Sequence, residues 1–276
     1  MNIMLEKIKD EFIEHMQKSD IVLGAWNFGS EKHGLSDEYS DVDIVLLIEG
    51  KSFANFADKI EEYLKNICND ILLCYPEGFN GEAIVNNGYL ISCNDKIFQF
   101  DVFLINSEKL DDYICKMHYM ELKEQDIIFD KTGMVKELIS VDLKGDLWND
   151  DLMHLQNTYW YHAYMTKKYL IRKDYFKLYN VLHTMYEAHV SMLLTGYDKI
   201  TWGGIANKLH FIPEDKQQHL KRYYCSEDLD TIRDNLIYCM ETFIEDAKDV
   251  CMLKSCGYSI AAAGDIIDQL KDRHRF

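Results

Sequence analysis

Residues 28–47 read FGSEKHGLSDEYSDVDIVLL. A Gly-Ser pair, Gly29-Ser30, closes a short apolar run. Ten residues later Asp41-Val42-Asp43 opens a second one, IVLLI. On an extended chain the side chains of Asp41 and Asp43 project from the same face. Two carboxylates that close resist joint ionisation unless a cation compensates. The pair is therefore either a solvated turn or a place where something positive is held.

The neighbouring sequence bears on that choice. Residues 21–28 and 42–48 have the pattern of strands, the second so continuously apolar that it is expected to be buried on both faces. Residues 96–105, KIFQFDVFLI, alternate strictly. Phe98, Phe100, Val102 and Leu104 take one face, and Gln99, Asp101 and Phe103 the other. Asp101 thus interrupts an otherwise apolar strand, where an unpaired carboxylate is costly. By itself it could be an edge charge that discourages strand pairing. Beside Asp41 and Asp43 it completes a set of three acids suited to a hard divalent cation, which binds carboxylates together with substrate phosphates. The glycine turn lets backbone N–H groups approach a phosphate, and the Ser30 hydroxyl adds a donor. These are the parts of a metal-assisted nucleotidyl transfer.

The remaining pattern predicts an α+β chain. A helix is expected over 3–16, and another over 52–67 with Ser52 as its cap. Strands are expected near 71–75, 89–93 and 126–130, and a short helix over 108–118. Beyond residue 140 the strand signal stops. Helices are predicted over 152–171, over 175–195 behind an Asp174 cap, from Pro213 in a first turn, and over 230–252. The second of these reads as apolar nearly all round. The stretch SVDLKGDLWNDD, residues 140–151, breaks the periodicity. It divides the chain into an N-terminal sheet domain, 1–142, and a C-terminal helical domain, 143–276.

The net charge is −17, and no basic stripe is present. Nucleic acid is therefore not expected as a partner, whereas a cationic small molecule suits the charge. The eight cysteines form no CxxC pair and read as free thiols of a reducing cytoplasm. No secretory leader or membrane-spanning run is evident. A cytoplasmic protein without membrane association is expected, and a homodimer is left open.

Taken together, FGS, ten residues, DVD in an apolar strand and a later FDVF resemble the DNA polymerase beta nucleotidyltransferase superfamily. Size and helical second half resemble its bacterial antibiotic nucleotidyltransferases, those acting on aminoglycosides and lincosamides. IFDKTG, residues 128–133, is similar to a segment that follows the catalytic strands in several of them. The resemblance implies that Asp41 and Asp43 hold a Mg²⁺ ion bridging the nucleotide phosphates. Asp101 would join them at a second Mg²⁺ and lower the pKa of the acceptor hydroxyl, or act as its base. Ser30 and the Gly29 backbone would hold the leaving pyrophosphate. The family commonly has a basic residue directly after Gly-Ser. Here Glu31 intervenes and Lys32 follows, as the candidate phosphate contact.

In the helical half, His183 and Glu187 lie one turn apart. Glu187 is a candidate for binding an acceptor amine or taking its proton, against the plainer reading of a buried polar network. Lys167, Lys168 and Arg172 read as charges near a helix C-terminus, and His33 as a loop histidine. The implied activity is transfer of a nucleoside monophosphate, AMP first, from a nucleoside triphosphate to a hydroxyl of a small-molecule antibiotic. Alternatives are a protein-modifying nucleotidyltransferase of the toxin–antitoxin type and a non-catalytic nucleotide-binding protein of the same fold.

Overall fold

The computed structural model describes residues 2–29, 37–141, 152–199, 204–224, 226, 228–258 and 263–271. The chain divides into two compact units, Met1–Leu143 and Lys144–Phe276.

The first unit opens with α1, Ile3–Lys18, started by the Asn2 side chain, which accepts from the Met4 N–H at 3.0 Å. Leu5, Ile8, Phe12 and Met16 recur every three to four residues and form its buried stripe. Six strands follow: β1 Val22–Asn27, β2 Val42–Ile48, β3 Asp70–Pro76, β4 Ile84–Cys93, β5 Lys96–Asn106 and β6 Ile127–Asp130. Their order in the sheet is β3-β4-β5-β2-β1-β6. β2 and β5 run parallel, and the other adjacent pairs are antiparallel.

The alternation along β5 decides its faces. Phe100, Val102 and Leu104 join Val42, Ile44 and Leu46 in a core with the α1 stripe. Phe53, Phe56, Ile60 and Leu64 close the same core. Those four share the face expected of one helix over 52–67. The structure instead divides the segment into α2, Phe53–Ala57, and α3, Ile60–Lys65. Ser52 does not cap; its hydroxyl donates to Glu49 at 2.9 Å. The helix expected over 108–118 is α4, Tyr113–Tyr119, begun at Asp112, whose carboxylate accepts from the Ile114 N–H at 2.9 Å.

The IFDKTG segment has a structural task. Asp130 accepts from the N–H groups of Gly133 at 2.9 Å and Lys136 at 3.0 Å. Gly133 takes φ +82°, which only glycine adopts readily, and this turn launches α5, Met134–Ile139. α5 lies close on β1: a Cβ at Gly24 would come within 2.3 Å of Val135.

The second unit is helical: α6 Leu152–Ile171, α7 Tyr175–Gly196, α8 Glu214–Leu220, α9 Leu229–Leu253 and α10 Ala263–Lys271. Pro213 immediately precedes α8 and does not lie in its first turn. Asp174 caps α7, accepting from the Lys177 N–H at 3.2 Å. α7 is not apolar all round as the pattern suggested. Leu178, Leu182, Met185 and Leu193 are buried, but Tyr175, Tyr179 and Phe176, the last 88% exposed, face solvent. Aromatic side chains score as apolar in the sequence whichever way they point.

Among these apolar helices lies a buried polar chain. The Tyr159 and Tyr223 hydroxyls are 2.8 Å apart, Tyr223 is 2.9 Å from His189 Nδ1, and His189 Nε2 is 2.9 Å from Asp246. Lys216 pairs with the other Asp246 oxygen. One arrangement satisfies every link. Tyr159 donates to Tyr223, Tyr223 donates to a neutral His189, and His189 Nε2–H donates to Asp246. Burial pushes the His189 imidazole below its ordinary value. Burial alone would lift the Asp246 carboxyl, but His189 and Lys216 hold it below the usual carboxylate range.

Candidate active site

Asp43 and Asp101 are direct cross-strand partners in the parallel β2–β5 pair. Their side chains leave the sheet on the face opposite α1, and Asp41, two residues ahead of Asp43, is carried on the same side. One carboxylate oxygen from each of Asp41, Asp43 and Asp101 falls within 4.8 Å of the others. Among the described residues this is the one group of at least three His, Cys, Asp or Glu side chains so arranged.

Two glycines admit the carboxylates. Gly29 follows β1 with φ +59°, and a Cβ there would lie 2.0 Å from Oδ2 of Asp43. The same turn is tied to β2 by the Phe28 N–H, which donates to the Asp43 carbonyl at 3.1 Å. Gly88 on β4 faces Asp101, and a Cβ there would come within 2.8 Å of Oδ1 of Asp101. Gly29→Ala is therefore expected to displace the Asp43 carboxylate and adds left-handed backbone strain. A shift of this kind lowers turnover about a hundredfold. Weakened Mn²⁺ binding measured by calorimetry, together with the loss of turnover, checks this; wild-type values for both would refute the contact.

Asp101 is partly buried. Its Oδ2 accepts from Gln99 Nε2 at 2.8 Å, while its buried Oδ1 has no hydrogen-bond partner. Burial lifts its carboxyl to about 6; the charges of Asp41 and Glu77 add to the rise and Gln99 opposes it. A buried acceptor atom without a donor, among three carboxylates, fits a site built for a cation. The donors are all carboxylate oxygens, the preference of a hard divalent ion such as Mg²⁺.

Of the other residues singled out in the sequence, Gly29 adjoins the triad as described. Ser30, Lys32 and His33 lie outside the described residues. Glu187 sits on α7 in the helical unit, 3.4 Å from His183, both side chains about half exposed. That pair is thus no part of the buried network, which belongs to His189. Lys168 rests over the Tyr169 ring at 4.8 Å, and Lys167 reaches Gln269 at 3.5 Å. Sequence reasoning put Gln99 on the Asp101 face without giving it a role in the site, and it missed Gly88. A glycine inside a strand is itself a signal of close approach, and Gly88 carried it.

A mixed sheet with an Asp-x-Asp pair beside a third acid on the adjacent parallel strand, followed by a helical unit, fits a nucleotidyltransferase of the polymerase beta type. The chain belongs to the streptomycin adenylyltransferase family, whose model matches residues 12–272; it is an adenylyltransferase. A solved aminoglycoside 6-adenyltransferase from Bacillus subtilis aligns with a TM-score of 0.45 at 13% identity, covering 99% of this chain and 100% of that one. No curated protein matches the chain significantly. Among the described residues no helix is long and apolar enough to cross a membrane.

Proposed function

We propose that the protein transfers AMP from ATP to a hydroxyl of a small-molecule antibiotic, with an aminoglycoside as the leading acceptor class and Mg²⁺ as the metal. The observation that carries this reading is the convergence of Asp41, Asp43 and Asp101 within 4.8 Å, with an orphaned oxygen on Asp101. Family membership supports the adenylyl donor, and the net charge of −17 suits a polycationic acceptor.

Asp41 and Asp43 would hold one ion against the nucleotide phosphates, and all three acids would share a second. Bound there, Mg²⁺ neutralises the phosphates and stabilises the entering and leaving oxygens of an in-line displacement. The residues of the chain do the rest. Gly29 brings its backbone against Asp43 and, with Ser30 and Lys32, would receive the leaving pyrophosphate. Gln99 holds one oxygen of Asp101, and that carboxylate would take the acceptor proton. As the acceptor oxygen bonds to the α-phosphorus, the bond to the bridging oxygen breaks. Pyrophosphate leaves with that electron pair.

The test follows pyrophosphate release from labelled ATP with Mg²⁺ across a panel of aminoglycosides and lincosamides. Turnover with at least one acceptor, and none for Asp43→Asn in a folded protein, is expected. Absence of turnover with every nucleotide and acceptor overturns the reading.

A further inference from the structure

The row of residues that contains the carboxylates continues across the sheet. Asp43 faces Asp101, Asp101 faces Gly88, and Gly88 faces Tyr75. In the row on one side, Gln99 faces Leu90 and Leu90 faces Leu73. On the other, Phe103 faces Asn86, whose carbonyl accepts from the Glu77 N–H at 3.0 Å. Gly88 contributes no side chain to its row, so a hollow opens between Asp101 and Tyr75. It holds about 280 Å³, with Leu73, Tyr75, Glu77, Asn86, Leu90 and Asp101 around it.

The lining is mixed in a definite way. Tyr75 and Leu73 are 62% and 48% exposed, unusual for large apolar groups on a sheet face. Glu77 lies near enough for its charge to act on Asp101. Strands are about 4.8 Å apart, so Asp101 and Tyr75, two strands apart, stand roughly 10 Å from one another. That span and volume suit one saccharide-sized ring and fall at the small end of ligand cavities.

Reaction geometry says which substrate belongs there. In an in-line displacement the entering and leaving oxygens lie on opposite sides of the phosphorus. On the transfer reaction proposed above, pyrophosphate would leave toward the Gly29 turn at the end of β1. Across the sheet the order from that turn is β1, β2, β5, β4, β3. With the acids on β2 and β5, the entering hydroxyl must come from the β4–β3 side, where the hollow is.

We propose that the hollow over Gly88 seats one amino-sugar ring of the acceptor, with Tyr75 packed on the ring, Glu77 paired with its ammonium and the reacting hydroxyl presented at Asp101. The assignment rests on the transfer reaction proposed above. The hollow is too small for a whole polycyclic acceptor, so only the modified ring is assigned to it.

The test uses the full chain with ATP, Mg²⁺, and streptomycin and kanamycin in free and N-acetylated forms. Wild-type turnover is measured first. Glu77→Gln is expected to raise KM about tenfold for the amine form, the worth of one charge-assisted hydrogen bond. The N-acetylated form should be little changed. Tyr75→Ala is expected to raise KM for both forms about tenfold through lost ring contact. Calorimetry should give both variants wild-type ATP affinity, and circular dichroism a wild-type fold. An unchanged acceptor KM in a folded, active variant overturns the seat and leaves the reaction standing. Weakened ATP binding with an unchanged acceptor KM also overturns it, since the hollow would then hold the nucleotide base. A wild-type protein inactive with every acceptor overturns the reaction and the seat together.

Discussion

Asp101→Asn is expected to abolish nucleotidyl transfer and, at the same time, to stabilise the metal-free protein at pH 8. Loss of a group that holds the metal or takes the proton costs about 10³-fold or more in turnover. Stability moves the other way because the carboxylate is costly where it stands. The acid ionises near 3.8 in an unfolded chain but near 6 in the fold, chiefly through burial and then through Asp41 and Glu77. At pH 4 it is largely protonated in the fold, and its charge costs little. The cost grows as pH rises from about 4 to 6 and is complete above that, because the unfolded chain releases its proton first.

At full value the shift from 3.8 to about 6 is worth roughly 3 kcal/mol. Solvent access from the open sheet face reduces this to about 1–2 kcal/mol. The asparagine oxygen can still accept from Gln99, and its amide then donates toward the acids beside it. Urea unfolding in the presence of a chelator checks the prediction. The variant should be more stable at pH 8 and nearly equal to wild type at pH 4. Equal stability at both values would show that neither burial nor the neighbouring acids raise the Asp101 carboxyl in the folded protein. Added Mg²⁺ should narrow the gap at pH 8, because binding stabilises the wild-type fold by mass action.

The second large effect lies in the helical unit. Asp246→Ala removes the carboxylate that His189 and Lys216 share. Asp246 and His189 are 3% and 1% exposed, so His189 loses the acceptor of its buried Nε2–H, and Tyr223 and Tyr159 lose the anchor of their chain. Breaking a buried pair from one side costs about 3–5 kcal/mol. Asp246→Asn keeps an acceptor for His189 and should cost clearly less. Urea unfolding followed by a probe in this unit measures both; equal, small losses would mean that the network contributes little.

Acid should weaken the wild-type unit in the same way. His189 is held below its ordinary value in the fold, while an unfolded histidine protonates near 6.5. Stability from this source is full above that pH and falls as pH drops through it. Asp246, also held low, adds a further loss once unfolded aspartate begins to protonate near 4.

Much of the candidate site was legible in residues 28–47 and 96–105. A strand repeats every two residues, so Asp-Val-Asp must present both acids to one side, and an acid in an apolar alternation must face away from the core. The long helices were equally readable, since a buried stripe at helical spacing and a capping aspartate are local properties. The break between α2 and α3 was not, because Phe53, Phe56, Ile60 and Leu64 keep one buried face whether or not the helix is continuous.

What local pattern could not supply is adjacency. Nothing in the sequence states that β5 lies beside β2, parallel, with Asp101 opposite Asp43, that Gly88 stands next in the same row, or that Tyr75 closes it. The Glu187–His183 pair satisfied the one-turn rule and proved to be an exposed surface pair. His189 found its partner at Asp246, 57 residues away in the chain. The sequence by itself determined which side chains share a face, because that follows from the repeat of a single strand or helix. The tertiary structure alone decided which faces meet, because strand order and register are set by long-range packing of the core, and one step of register would move Asp101 away from Asp43.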